Sequence, residues 1–226
     1  IATLLLAVLC QSAFANTAPQ NIIMVVGDGM GPSFTTAYRM YADDPSTAEV
    51  EETVFDRLLV GMASTHPDME TGYITDSAAS ATALSTGVKT YNGAIGVDAN
   101  KQPVQTVLEL AKMQGRKTGI AVTSQINHAT PASFGAHNES RQNYDQIADG
   151  YFDVKINGQF VLDVMLGGGW QYFIRDDRNL VEQFKAAGYQ YVDDITQLDT
   201  VKAGMPLLGL FADKGMPWAL DSTNNM

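Results

Sequence analysis

Ser77 stands where a serine hydroxyl could attack phosphorus. It follows Asp76, a good helix-capping residue type, and is itself one. Ala78 to Ala83 are small and mostly helix-favouring, and Gly87 is a plausible stop. A serine at such a helix start faces unpaired N–H groups, so an anion beside it would be stabilised. The same stretch also reads as a capped, Ala-rich core helix. A free serine is a weak nucleophile and needs a base or a metal to activate it. Partners must therefore come from elsewhere in the chain. Asp28 lies between glycines in Gly27 to Gly31, a setting that suits a metal ion, or a tight turn. His128 and Thr130 share one polar stretch, Gln125 to Ala132. Arg141 offers a planar fork of donors suited to two phosphate oxygens, although a surface helix arginine has the same sequence signature.

The elements that must position these groups alternate in type. Asn21 to Val26 is short, apolar and β-branched, and reads as a buried, central, parallel strand. The glycine turn follows, and then a helical pattern from Ser33 to Tyr41. The glycines are misplaced for a dinucleotide fingerprint, and no Gly-Lys-Ser/Thr follows for a Walker loop. Leu58 to Thr65 resembles a second strand, and His66 lies in the loop after it. Lys89 to Asn100 is a Gly- and Asn-rich connection. Pro103 to Gly115 reads as an amphipathic helix and Thr118 to Ser124 as a buried strand. Gln125 to Ala132 is expected to be a loop, and Ala136 to Arg141 to open a helix running to about Asp149. Further on, a helix is expected at Val161 to Leu166 and a glycine turn at Gly167 to Gly169. Trp170 to Ile174 reads as a strand, and Arg175 to Arg178 as a solvated charged turn. A helix at Asn179 to Gly188 and a strand at Tyr189 to Val192 complete the pattern. Alternation of this kind predicts an α/β fold with a mostly parallel sheet. Ligands bind beyond the carboxyl ends of strands in such folds, where Asp28 and His128 are expected.

Composition narrows the classes. The 226 residues are 45% hydrophobic and carry a net charge of −11 with no long basic run. A nucleic-acid binder needs a basic face, and an anionic membrane would repel such a chain. Ile1 to Cys10 are apolar and uncharged, and the next five residues end in an Ala-x-Ala pattern at Ala15. This predicts residues 1–15 to be a partial signal peptide, cleaved after Ala15, and a periplasmic or secreted protein. Without the peptide no cysteine remains, so stability would rest on packing or metal.

Three motifs in order carry a resemblance. They are Gly27-Asp28-Gly29-Met30-Gly31, then Thr75 to Thr82 with Ser85 to Thr90, then His128 to Pro131 with His137, Ser140 and Arg141. Together they resemble the alkaline phosphatases, over nearly all of residues 16–226. Leu207 to Ala212 is similar to that family's next core strand. The resemblance implies a three-layer sandwich and hydrolysis of phosphate monoesters through a phosphoserine at Ser77. It implies two zinc ions and one magnesium ion. Asp28 would bridge a zinc and the magnesium, Ser77 would sit on that zinc once deprotonated, and Thr130 would bind the magnesium. Arg141 would clamp phosphate, Asp76 would orient Arg141, and His128 would lie beside the magnesium site. A zinc-bound hydroxyl has a lowered pKa, which would activate Ser77. Members of the family are often dimers, so a homodimer is a further implication.

The sequence stops at Met226, before most of the metal ligands that the resemblance implies. His66, His128 and His137 form no recognisable zinc motif. A catalytic zinc usually needs three protein ligands, so the chain alone is expected to be inactive. A phosphodiesterase of the same superfamily and a non-catalytic exported phosphate- or metal-binding protein are the alternatives. Sulfatases need Pro and Arg soon after the nucleophile, which Ser77 to Ser80 does not provide. A cytosolic phosphoglycerate mutase would not carry a signal peptide.

Overall fold

The structure, a computed structural model, describes residues 19–219 and 221. The expected signal peptide, residues 1–15, lies outside them. Two compact units divide the chain, residues 1–53 and 54–226.

In the first unit the glycine turn leads into α1 (Pro32–Ala42). Pro32 opens the helix, where its missing N–H costs nothing. Residues 21–26 form no strand. Ile22, Ile23 and Val25 are exposed, against the expectation of a buried central strand. A β-branched run becomes a strand only where a neighbour completes its hydrogen-bond ladder, and none does so among the described residues.

The second unit begins with α2 (Val54–Leu58), α3 (Ser77–Thr86) and α4 (Val107–Met113), then β1 (Gly119–Gln125). Residues 59–65 are irregular and mostly exposed, not the strand their composition suggested. Between β1 and β4 (Val164–Gly168) lie α5 (Ala129–Gly135), α6 (Tyr144–Asp153) and a hairpin of β2 (Lys155–Ile156) and β3 (Gln159–Phe160). α7 (Trp170–Phe173), α8 (Leu180–Ala186), β5 (Gln190–Val192) and β6 (Leu207–Leu210) complete the order.

The sheet runs β1-β4-β6-β5, and every pair in it is parallel. The fold is thus α/β, with a mostly parallel central sheet and flanking helices. Met165, Leu208 and Leu210 from the strands share one buried cluster with Ile147, Tyr151, Leu180 and Phe184 from the helices. Burial of each large apolar side chain contributes about 1.5–3 kcal/mol.

Two elements are exchanged relative to expectation. Residues 164–168 are the strand and residues 170–173 the helix. A short apolar run does not reveal its type by periodicity, and here β1 and β6 supply ladder partners on both edges. Two of the three glycines read as a turn, Gly167 and Gly168, belong to the sheet itself. A Cβ on Gly167 would lie 2.7 Å from Val122 Cγ2, and one on Gly168 only 1.6 Å from the Lys214 carbonyl. Gly169 then turns the chain at φ 111°, and both its N–H and that of Trp170 bond the Ala212 carbonyl.

Other boundaries move. α4 begins at Val107, not Pro103, because Thr106 and Glu109 form a capping box. α5 begins at Ala129, with His128 at its N-cap position but making no side-chain cap, so Thr130 lies in a helix and not in a loop. Residues 136–143 are held to residues 91–97 by an antiparallel bridge between Ile95 and Asn138, which delays α6 to Tyr144. Arg175 and Arg178 are no solvated turn. Arg175 reaches Asp149 at 2.9 Å, and Arg178 takes both oxygens of Asp153 at 2.8 and 2.7 Å.

Candidate active site

Ser77 is the first residue of α3 and is half-buried. Asp76 caps the helix, its Oδ1 accepting from the Ala79 N–H at 2.9 Å. Gly87 ends the helix in the left-handed conformation, its N–H bonding the Ala83 carbonyl. Cap and stop thus fall where the residue types suggested. The small residues let α3 and α5 approach closely. Ala78, Ala81, Thr82 and Ser85 are buried, as are Ala129, Ala132 and Ser133. The Ser85 hydroxyl donates to the Ser133 carbonyl at 2.6 Å across that seam.

Asp76 does a second job. Its Oδ2 accepts from Arg141 Nη1 at 3.0 Å. Arg141 is partly buried, and its Nη2 lies 3.4 Å from His128 Nε2. The guanidinium only donates, so that histidine nitrogen accepts. The His128 ring stacks on Tyr144, with centroids 6.4 Å apart. Carboxylate, guanidinium and imidazole thus converge beside the start of α3.

Residues 91–97 hold this group together. Asn92 Oδ1 accepts from the Asp76 N–H at 2.9 Å, and the Asn92 side-chain amide donates to the Ile74 carbonyl. The Gly93 carbonyl accepts from the Arg141 N–H at 2.7 Å. Both partners of the ion pair therefore hang from adjacent residues of one loop. Sequence reading described this loop only as a connection. Its signal was the density of Asn and Gly, which permit such turns.

Thr130 is the second residue of α5 and is half-buried. Asp28 belongs to the other unit, where it is exposed in the turn that Gly29 permits at φ 67°. Among the described residues no group of three or more His, Cys, Asp or Glu side chains could hold a metal ion. His66 Nδ1 lies 3.0 Å from the Pro67 carbonyl, and His137 is held between Gly96 and Glu109. The Thr106-x-x-Glu109 pattern in the sequence marks the capping box that fixes Glu109.

Comparison with known proteins covers nearly the whole chain. A family model for alkaline phosphatase matches residues 19–226. Alkaline phosphatase 3 of Bacillus subtilis is 52% identical over 207 residues, 92% of this chain and 45% of that protein. The crystal structure of a cold-active alkaline phosphatase from a psychrophilic Shewanella superposes with a TM-score of 0.80. It is 55% identical and covers 88% of this chain and 48% of its own. A TAB5 alkaline phosphatase mutant with bound Mg superposes at 0.66 with 33% identity, covering 74% of this chain and 46% of its own. The chain spans about half the length of the relatives it matches. On the family model and on these identities, the chain belongs to the alkaline phosphatase family.

Proposed function

We propose that the protein containing this chain hydrolyses phosphate monoesters through a phosphoserine on Ser77. The observation that carries this reading is the double use of Asp76. One oxygen sets the start of the helix that presents Ser77, and the other aims Arg141. A phosphoryl group beside Ser77 would meet a guanidinium already oriented and the positive end of a helix. The serine oxygen attacks phosphorus, the alcohol leaves, and water then cleaves the phosphoserine to give inorganic phosphate. Arg141 and the first-turn amides stabilise the equatorial oxygens as charge moves between them.

Asp28, Thr130 and Ser77 offer one carboxylate and two hydroxyls, oxygen donors suited to zinc or magnesium. They are too few for a closed site. We infer two zinc ions and one magnesium ion in the whole protein, with these three among the ligands and the rest supplied from outside this chain. Bound metal would lower the pKa of a coordinated hydroxyl toward neutrality. The chain by itself is then inactive. The Mg named for the TAB5 mutant supports metal use. The apolar N-terminus and Ala15 support export, and the family supports a homodimer.

Hydrolysis of a chromogenic phosphate monoester at alkaline pH, with zinc and magnesium, tests the reading. The whole protein is expected to be active, with activity abolished by Ser77→Ala, and this chain alone inactive. Covalent phosphate trapped in acid should map to Ser77. A diesterase preference, or phosphate binding without turnover, would overturn the monoesterase assignment.

A further inference from the structure

We propose that His137 is a positioning residue for Arg141, its ring locking residues 136–141 onto residues 91–97 in the register from which the guanidinium reaches Asp76. The proposal rests on the reading of Arg141 as the phosphate-binding group.

His137 Nδ1 lies 2.6 Å from the Gly96 carbonyl oxygen, and Nε2 lies 2.8 Å from Glu109 Oε1. A carbonyl oxygen and a carboxylate are both acceptors. The ring satisfies both only with a proton on each nitrogen, as an imidazolium. Its surroundings suit that charge. Glu109 is 5% exposed, and its other oxygen accepts from the Thr106 N–H at 2.9 Å, so the counter-ion is fixed by the capping box of α4. Burial opposes protonation of His137, but the Glu109 and Gly96 contacts outweigh it and raise the pKa above the ordinary histidine value. Glu109 is the charged group that touches the ring. Along the two strands of the bridge, Glu139 pairs with Lys101 at 2.8 Å, and Asp98 Oδ1 accepts from the Asn100 and Gln102 N–H groups at 2.8 Å each.

The clamp sits at one end of a short ladder, and Arg141 at the other. Ile95 and Asn138 exchange backbone bonds of 2.9 and 2.8 Å, and the Arg141 N–H bonds Gly93. Gly96, Ile95 and Gly93 are thus matched by His137, Asn138 and Arg141. Gly96 adopts φ 59°, and a Cβ there would lie 2.4 Å from the Ala136 carbonyl and 2.8 Å from His137 Nδ1. The close approach is built into the backbone. Slippage of this ladder would move Arg141 relative to Asn92 and therefore relative to Asp76.

A double-mutant cycle on the whole protein tests the proposal, with inhibition by inorganic phosphate and the KM and kcat of a chromogenic monoester as readouts. Arg141→Ala is expected to weaken phosphate affinity about tenfold or more. His137→Gln, which cannot donate in both directions, is expected to weaken it several-fold in the Arg141 background and not at all in Arg141→Ala. A loss that persists in Arg141→Ala, or no loss in either background, would overturn the positioning role. If Arg141→Ala itself leaves affinity unchanged, the phosphate reading falls and the proposal falls with it. If His137→Gln does not fold, Glu109→Gln breaks the same clamp from the other side and the same cycle decides.

Discussion

Asp76 and Arg141 stand 65 positions apart in the chain and meet at 3.0 Å through the carboxylate that also caps the Ser77 helix. The two duties can be separated. Asparagine caps a helix about as well as aspartate but carries no charge to hold a guanidinium. Asp76→Asn should therefore keep thermal stability near wild type while weakening inhibition by inorganic phosphate several-fold. Asp76→Ala should lose both duties, weakening inhibition to a similar degree and also losing about 1 kcal/mol of stability at the cap. Equal phosphate affinity in Asp76→Asn and wild type would show that the ion pair does not position Arg141.

The parts of this site that depend on neighbouring residues were legible in the sequence. The cap at Asp76 and the stop at Gly87 are decided within one helix. β1, α8, β5 and β6 also fall close to their expected places. What stayed hidden depends on residues distant in the chain. Nothing near Asn92 or Gly93 announces that they suspend Asp76 and Arg141. The exchange of strand and helix across residues 161–174 has the same origin, since β1 and β6 decide which apolar run is paired. Residues 21–26 and 58–65 have strand composition without strand partners, so composition alone misleads there.

Two glycines separate conformational cost from steric cost. Gly87 and Gly96 both have positive φ, 75° and 59°. A Cβ on Gly87 meets nothing within 4 Å, whereas one on Gly96 meets the Ala136 carbonyl at 2.4 Å. Gly87→Ala should cost about 1–2 kcal/mol, the price of a left-handed alanine. Gly96→Ala should cost clearly more and should also weaken phosphate affinity, because it pushes on the His137 clamp. Denaturant unfolding of the two variants side by side checks the ordering. Equal losses would mean that the loop yields freely and holds nothing in place.

The Lys112–Asp163 pair governs acid sensitivity at the start of the sheet. Lys112 Nζ bonds Asp163 Oδ2, and the two side chains are 3% and 14% exposed. Asp163 also accepts from the Thr118 N–H at 2.8 Å and from Lys117 at 3.2 Å. Burial alone would raise the Asp163 pKa. The lysines and the amide outweigh it and hold the carboxyl below its ordinary value. A depressed folded pKa means that the unfolded chain binds the proton more readily. The stabilisation is therefore present above the ordinary aspartate range and is lost as pH falls through the lower, folded value. Lys112→Met removes the more buried of the two cations. Breaking a buried pair costs about 3–5 kcal/mol, and the remaining contact to Lys117 should keep the loss near the lower end. The Asp163 pKa should then rise, so acid unfolding should begin at a higher pH than in wild type. Hydrogen exchange at Thr118 and along β4, followed against pH, reads this directly. An unchanged acid profile in Lys112→Met would show that the Thr118 amide and Lys117, not Lys112, stabilise the carboxylate.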